Sequence, residues 1–147
     1  MTDALSSSIE WLDRLIAFDT TSRLSNLELI DDVQTYLHGL GVPTRLTRNE
    51  EGSKANLWAT IGPEDRGGVV LSGHTDVVPV DGQDWSRDPF KMHRENGRLY
   101  ARGTSDMKGF CAIALALAPE MKRRNLKTPI HFAFSYDEEI GCIGVRG

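Results

Sequence analysis

The sequence has 147 residues, 39% of them hydrophobic and 26% charged, with a formal net charge of -4. That length is enough to bury one core but not to build two full domains, and the lysines and arginines are scattered, which argues against nucleic acid or an anionic membrane as a partner. No apolar stretch approaches the roughly 20 residues that span a bilayer, and the start "MTDALSSSIE" lacks the basic and apolar regions of a signal peptide, so a cytoplasmic protein is expected.

The first segment, "SSSIEWLDRLIAF", spaces Ile9, Leu12, Leu15 and Ile16 as one face of an amphipathic helix behind a serine-rich capping region. A second helix is expected from near Ser25, with Leu29, Val33, Tyr36, Leu37 and Leu40 on one face and Gly41 as its C-terminal cap. The period then shortens. "PTRLTR", "ANLWATIG" and "GVVLSG" are brief and rich in branched or aromatic residues, with Gly and Pro as punctuation, and read as strands. "VVL" is apolar without alternation, as in a central strand covered on both faces. Asn96-Gly97 within "FKMHRENGRLYARG" marks a hairpin.

"DMKGFCAIALALAPEMKRRN" follows as a third helix, apolar nearly all round and so expected to be well buried, and "TPIHFAFSY" is a further core strand leading into "DEEIGCIGVRG". Helices and buried strands in alternation imply the fold class α/β, a layered domain. Gly147 comes directly after a loop-to-helix signal, with no closing helix over the last strand, so the domain is expected to be incomplete at its C-terminus. Cys111 and Cys142 lack Cys-x-x-Cys spacing and read as small core residues.

Three clusters of ligand-type residues follow strand segments: His74 with Asp76, Asp106, and Glu138 with Glu139. Ligands in open α/β sheets gather beyond the carboxyl ends of strands, so the three clusters are expected to meet in one crevice. Residues two apart in extended chain share a face, so the Asp76 carboxylate can accept the His74 ring N–H that points away from a metal. Neighbouring glutamates point in different directions, which suits one ligand and one free general base. Asp106, at the start of the third helix, is placed where a carboxylate is favoured and can bridge two cations. Histidine with carboxylates and no thiolate suits zinc, with manganese or cobalt as substitutes. Each cluster alone also fits an ordinary solvated turn or helix start. His38, His93 and His131 read as a helix-end, a hairpin and a core-strand residue, outside the site.

Together "SGHTDVVP", "WSRDPF", "GRLYARGTSDMKG" and "YDEEIGCIG" resemble the co-catalytic zinc peptidase and deacylase family, in the same order and from about Asn56 onward. The resemblance implies a layered α/β/α domain with a mixed, largely parallel central sheet, of which residues 1–147 would be the N-terminal segment of a single catalytic domain, and two zinc ions per complete site. It implies that His74 binds one, Asp106 bridges both and Glu139 binds the other, with Asp76 holding His74 and Glu138 acting as the general base. It also implies a cis peptide bond between Asp106 and Met107. The stretches "FSYDEEIGCIGVRG" and "FCAIALALAPEM" are most similar to the acetylornithine deacetylases of that family. The expected reaction is therefore hydrolysis of N2-acetyl-L-ornithine to ornithine and acetate, in arginine biosynthesis, by a full-length enzyme that is a homodimer. Succinyl-diaminopimelate or another N-acyl amino acid is the alternative substrate. An inert or weakly metal-binding module is the alternative for the 147 residues alone, which lack a further acidic ligand, a late histidine and an inserted dimerisation domain.

Overall fold

The structure is a computed structural model and describes residues 3–146; Gly147, where the domain was expected to stop short, lies outside them. Helix α1 (Ala4–Ile16) turns Trp11, Leu12, Leu15 and Ile16 into the core. Its start differs from the expected serine cap. The helix begins before the serines, which lie inside it, and the Ser8 hydroxyl donates back to the Ala4 carbonyl. Helix α2 (Leu27–Gly39) follows the expected pattern, burying Leu29, Ile30, Val33 and Leu37. The Ser25 hydroxyl accepts the Leu27 N–H, and beyond the helix Gly41 N–H donates to His38 and Val42 N–H to Leu37.

Strands β1 (Thr44–Arg48), β2 (Ala55–Ile61) and β3 (Val69–His74) come next, then the hairpin β4 (His93–Glu95) and β5 (Arg98–Tyr100), helix α3 (Lys108–Arg123) and strand β6 (Ile130–Ser135). Asn96 and Gly97 both have positive φ, 50° and 74°, as a two-residue hairpin turn requires. The main sheet has the order β1-β2-β6-β3 and the hairpin is a separate two-stranded sheet.

The sheet is mixed, as expected, but not largely parallel. β1 with β2 and β2 with β6 are antiparallel; only β3 with β6 is parallel. Nor is it covered on both faces among the described residues. Ala55, Leu57, Ala59 and Ile61 of β2 are buried beside Phe132 and Phe134 in a core shared with all three helices, while the alternate residue Trp58 is exposed and stacks on His131. The period-2 alternation of a sheet packed on one side accounts for this. "VVL" differs from the expected central strand: among the described residues β3 lies at the sheet edge, with Val69 55% and Val70 47% exposed. Helix α3 is likewise one-sided, with Cys111, Ala112, Leu115 and Ala118 inward and Ile113 outward. Cys111 is buried and Cys142 exposed; both are free thiols, so only the first is a core residue.

Candidate metal centre

Parallel pairing sets His74 opposite Ser135, so β3 and β6 end side by side and the chain beyond each enters the same region. The Thr75 N–H donates to the Ser135 carbonyl at 2.8 Å and its hydroxyl to the same oxygen at 2.9 Å, extending the register past the strands. Asp106 arrives differently. It follows the hairpin rather than a strand of the main sheet and lies just before α3, as its place after "RLYARGTS" suggests, and the Asp106–Met107 peptide bond is cis.

Close approach of α3 to β3 depends on Gly73, where a Cβ would come within 2.8 Å of Cys111 Sγ and 3.1 Å of Phe110 Cδ1. At the same end of α3 the buried amine of Lys108 donates to the Leu15 carbonyl at 3.0 Å and the Phe18 carbonyl at 2.7 Å, tying the helix start to the end of α1. Burial pulls the Lys108 pKa down to about 8.

Ligand-type atoms of His74, Asp106 and Glu139 all lie within 4.8 Å of one another. The His74 ring is buried, Asp106 exposed and Glu139 partly buried, so the cluster sits at a surface opening with its nitrogen donor on the inner side. His74 Nε2 is 3.0 Å from Asp106 Oδ1 and 3.7 Å from Glu138 Oε2. The other ring nitrogen, Nδ1, donates to the Asp76 backbone carbonyl at 2.9 Å, with the Asp76 carboxylate at 3.5 Å. The backbone oxygen is thus the nearer partner of the ring.

The Asp76 carboxylate has further, closer partners. It accepts the Ser22 hydroxyl at 2.6 Å, the Glu138 N–H at 3.0 Å and the Glu139 N–H at 3.2 Å. Burial opposes its charge, yet hydrogen bonds from His74, Ser22 and the two glutamate amides hold its pKa below the usual carboxylate value.

The remaining electrostatics describe a crowded group of acids. Burial raises the Glu139 pKa and the neighbouring Asp106 carboxylate raises it further. Burial works against the His74 imidazolium, but its bonds to Asp76 and Asp106 prevail and push its pKa up to about 9. One imidazole nitrogen directed at converging carboxylates is a donor set that fits a divalent cation, and such an ion relieves the crowding that Glu139 feels. His38, His93 and His131 lie outside this cluster, as the sequence suggested.

Three residues of the site escaped the sequence reading. Ser22 lies in a segment, "DTTSR", that carries no ligand-type pattern, and Lys54 sits in an ordinary turn. Asp137 precedes the two glutamates, but its role depends on a partner distant in sequence: its carboxylate pairs with Lys54 Nζ at 2.6 Å.

Residues 70–147 match the family described as Peptidase family M20/M25/M40. The acetylornithine deacetylase of Pasteurella multocida (strain Pm70) is 37% identical over 95% of this chain and 38% of its own length. That of Shigella sonnei (strain Ss046) is 39% identical over 83% of this chain and 32% of its own length. The chain therefore spans about a third of the length of the curated relatives it matches. Among solved structures, an M20 family metallo-carboxypeptidase, Sso-CP2 from Sulfolobus solfataricus, superposes with a TM-score of 0.74 at 27% identity, covering 99% of this chain and 33% of that one. Human carnosine dipeptidase 1 gives 0.74 at 25% identity, covering 95% and 34%.

Proposed function

Because the chain belongs to peptidase family M20/M25/M40, we propose that its converging acids and histidine form part of a zinc centre for amide hydrolysis, with N2-acetyl-L-ornithine as substrate. The observation that carries the reading is the approach of His74, Asp106 and Glu139 to within 4.8 Å, with the Glu138 carboxylate 3.7 Å from His74. His74 Nε2, Asp106 and Glu139 would hold metal, Asp106 as the bridge of a two-metal site. Metal bound there supplies a Lewis acid and makes a water acidic enough to ionise near neutral pH.

The chain's own part in the reaction is positioning and proton transfer. The carbonyl of Asp76 fixes the ring so that Nε2 faces the cluster, and its carboxylate fixes the backbone from which Glu138 and Glu139 project. Glu138 takes the proton of the attacking water and returns it to the departing amine nitrogen, the two halves of general acid–base catalysis. Acetate and ornithine are the products, as arginine biosynthesis would use them. The substrate rests on relatives 37% and 39% identical that are named acetylornithine deacetylase.

The 147 residues are read as the N-terminal segment of the catalytic domain, in keeping with the third of each relative that they span. The complete enzyme is proposed to be a cytoplasmic homodimer. Among the described residues no helix is long and apolar enough to cross a membrane. A panel of N2-acetylornithine, succinyl-diaminopimelate and other N-acyl amino acids, given to the zinc-loaded full-length protein, tests the assignment. Preference for N2-acetylornithine by kcat/KM is expected, and preference for another acyl amino acid overturns the substrate while leaving the chemistry.

A further inference from the structure

Lys54 lies in the turn that leads into β2 and contacts none of the residues proposed to hold metal. Its side chain is only 13% exposed, and its amine donates in two directions. One is the Asp137 carboxylate, at 2.6 and 2.8 Å; the other is the Ser22 carbonyl, at 2.5 Å.

Each contact leads to the glutamate pair by a separate route. Asp137 immediately precedes Glu138, is buried, and has a φ of 53°, in the left-handed region that aspartate enters more readily than most non-glycine residues. Its carbonyl accepts the Ile143 N–H at 3.0 Å, closing the loop that carries both glutamates. On the second route the Ser22 hydroxyl donates to Asp76 at 2.6 Å, and Asp76 accepts the amides of Glu138 and Glu139. The Glu138–Glu139 backbone is thus held at both ends by bonds that converge on one ammonium group.

The pair between Lys54 and Asp137 is enclosed, so its two charges have given up much of their hydration, and removing one leaves the other buried without a partner. Asp137 without Lys54 would also join an acidic group that already includes Asp76, Asp106, Glu138 and Glu139. Its cheapest response is to turn toward water and take the backbone of Glu138 with it.

We propose that Lys54 is a positioning residue for the Glu138–Glu139 pair, acting through Asp137 on one side and through Ser22 and Asp76 on the other. The inference rests on the metal-hydrolase reading above. It assigns Lys54 no contact with substrate or metal.

The test compares wild-type full-length protein with Lys54→Met, Lys54→Arg and Asp137→Asn, each titrated with Co2+ and followed by its visible absorption, alongside thermal unfolding. Lys54→Met is expected to weaken Co2+ binding about 10- to 100-fold, the range for residues that orient metal ligands, and to alter the cobalt spectrum. Lys54→Arg, which keeps the charge, should recover most of the affinity. A Lys54→Met protein that melts at a lower temperature but keeps wild-type affinity and spectrum would reduce Lys54 to a structural ion pair and overturn the proposal. If Lys54→Met does not fold, Asp137→Asn, which retains much of the side-chain shape, decides by the same readout. Wild-type protein that binds no Co2+ overturns the metal-hydrolase reading and this one together; normal wild-type binding with unaffected variants overturns this one alone.

Discussion

Asp76 holds the backbone of Glu138, its Oδ1 accepting the Glu138 N–H at 3.0 Å across a sequence separation of 62 residues. The same carboxylate accepts Glu139 N–H, so the residue that the sequence suggested as a partner for His74 is equally the anchor of the glutamate pair. Its backbone carbonyl is the nearer partner of the histidine, while its carboxylate faces the histidine at 3.5 Å and accepts both glutamate amides.

Replacing Asp76 with alanine therefore disturbs more than a ring orientation. The two part-buried glutamate N–H groups lose their acceptor, a loss of up to about 1–3 kcal/mol for each group left unsatisfied, while the Ser22 hydroxyl can still reach the Val77 carbonyl. Asp76→Ala should lower the unfolding temperature and weaken Zn2+ binding about 10- to 100-fold. Ser22→Ala, which removes one donor and leaves both amides paired, should give a much smaller change in each. Comparable losses in the two variants would show that Ser22, not the amides, carries the effect.

Glu138→Gln keeps the side-chain shape and removes the basic oxygen. Zinc content should match wild type while turnover falls by at least about 10²- to 10⁴-fold, the usual contribution of a general base. Metal analysis and steady-state kinetics on the same preparation check both halves. Loss of zinc in this variant would instead make Glu138 a ligand.

His74 provides a pH signature of the metal-free protein. Its pKa is raised from 6.5 to about 9 when folded, so the imidazolium favours the fold. The sign follows from linkage: that contribution is full below pH 6.5, declines as pH rises, and is gone once pH passes about 9. Thermal unfolding of metal-free protein should show this decline, and His74→Gln should flatten it. At pH 7 the ring must also lose a proton to the buffer before its nitrogen can bind a cation. Zinc titrations in buffers of different ionisation enthalpy should therefore report proton release that is lost in the variant.

Gly73→Ala tests the contact between β3 and α3. The new methyl meets Cys111 Sγ at 2.8 Å, and overpacking of this kind costs about 1–3 kcal/mol. Because α3 begins just after Asp106, the displacement should also reduce zinc affinity. Cys111→Ala in the same chain makes room for the methyl, and the double variant is expected to regain part of both losses. Full additivity of the two substitutions in unfolding free energy would rule the contact out as the cause.

What the sequence made legible was local. Helical spacing in "IEWLDRLI" and "LELIDDVQTYL", the Asn96-Gly97 turn and the short strands correspond to observed elements because each depends on neighbours in the chain. The ligand-type residues His74, Asp106 and Glu139 stood out by residue type and by family likeness, and they do meet. Sheet order did not stand out. "VVL" reads alike in a central strand and an edge strand, since the difference is set by what else packs nearby. The same limit hid Lys54 and Ser22, whose partners are 83 and 54 residues away. It also hid the backbone service that Asp76 gives to the glutamates.

The parallel pairing of β3 with β6 also governs when this site comes into being during folding. His74 and Glu138 are brought together only after a crossover containing the hairpin and α3 has been closed, with His74 opposite Ser135. Non-local pairings of this kind form slowly, because the loop entropy is spent before the contacts exist. A cation therefore finds no local nucleus to template and acts on the finished structure. In stopped-flow measurements zinc should slow unfolding while leaving the refolding rate nearly unchanged, the behaviour of contacts absent from the transition state.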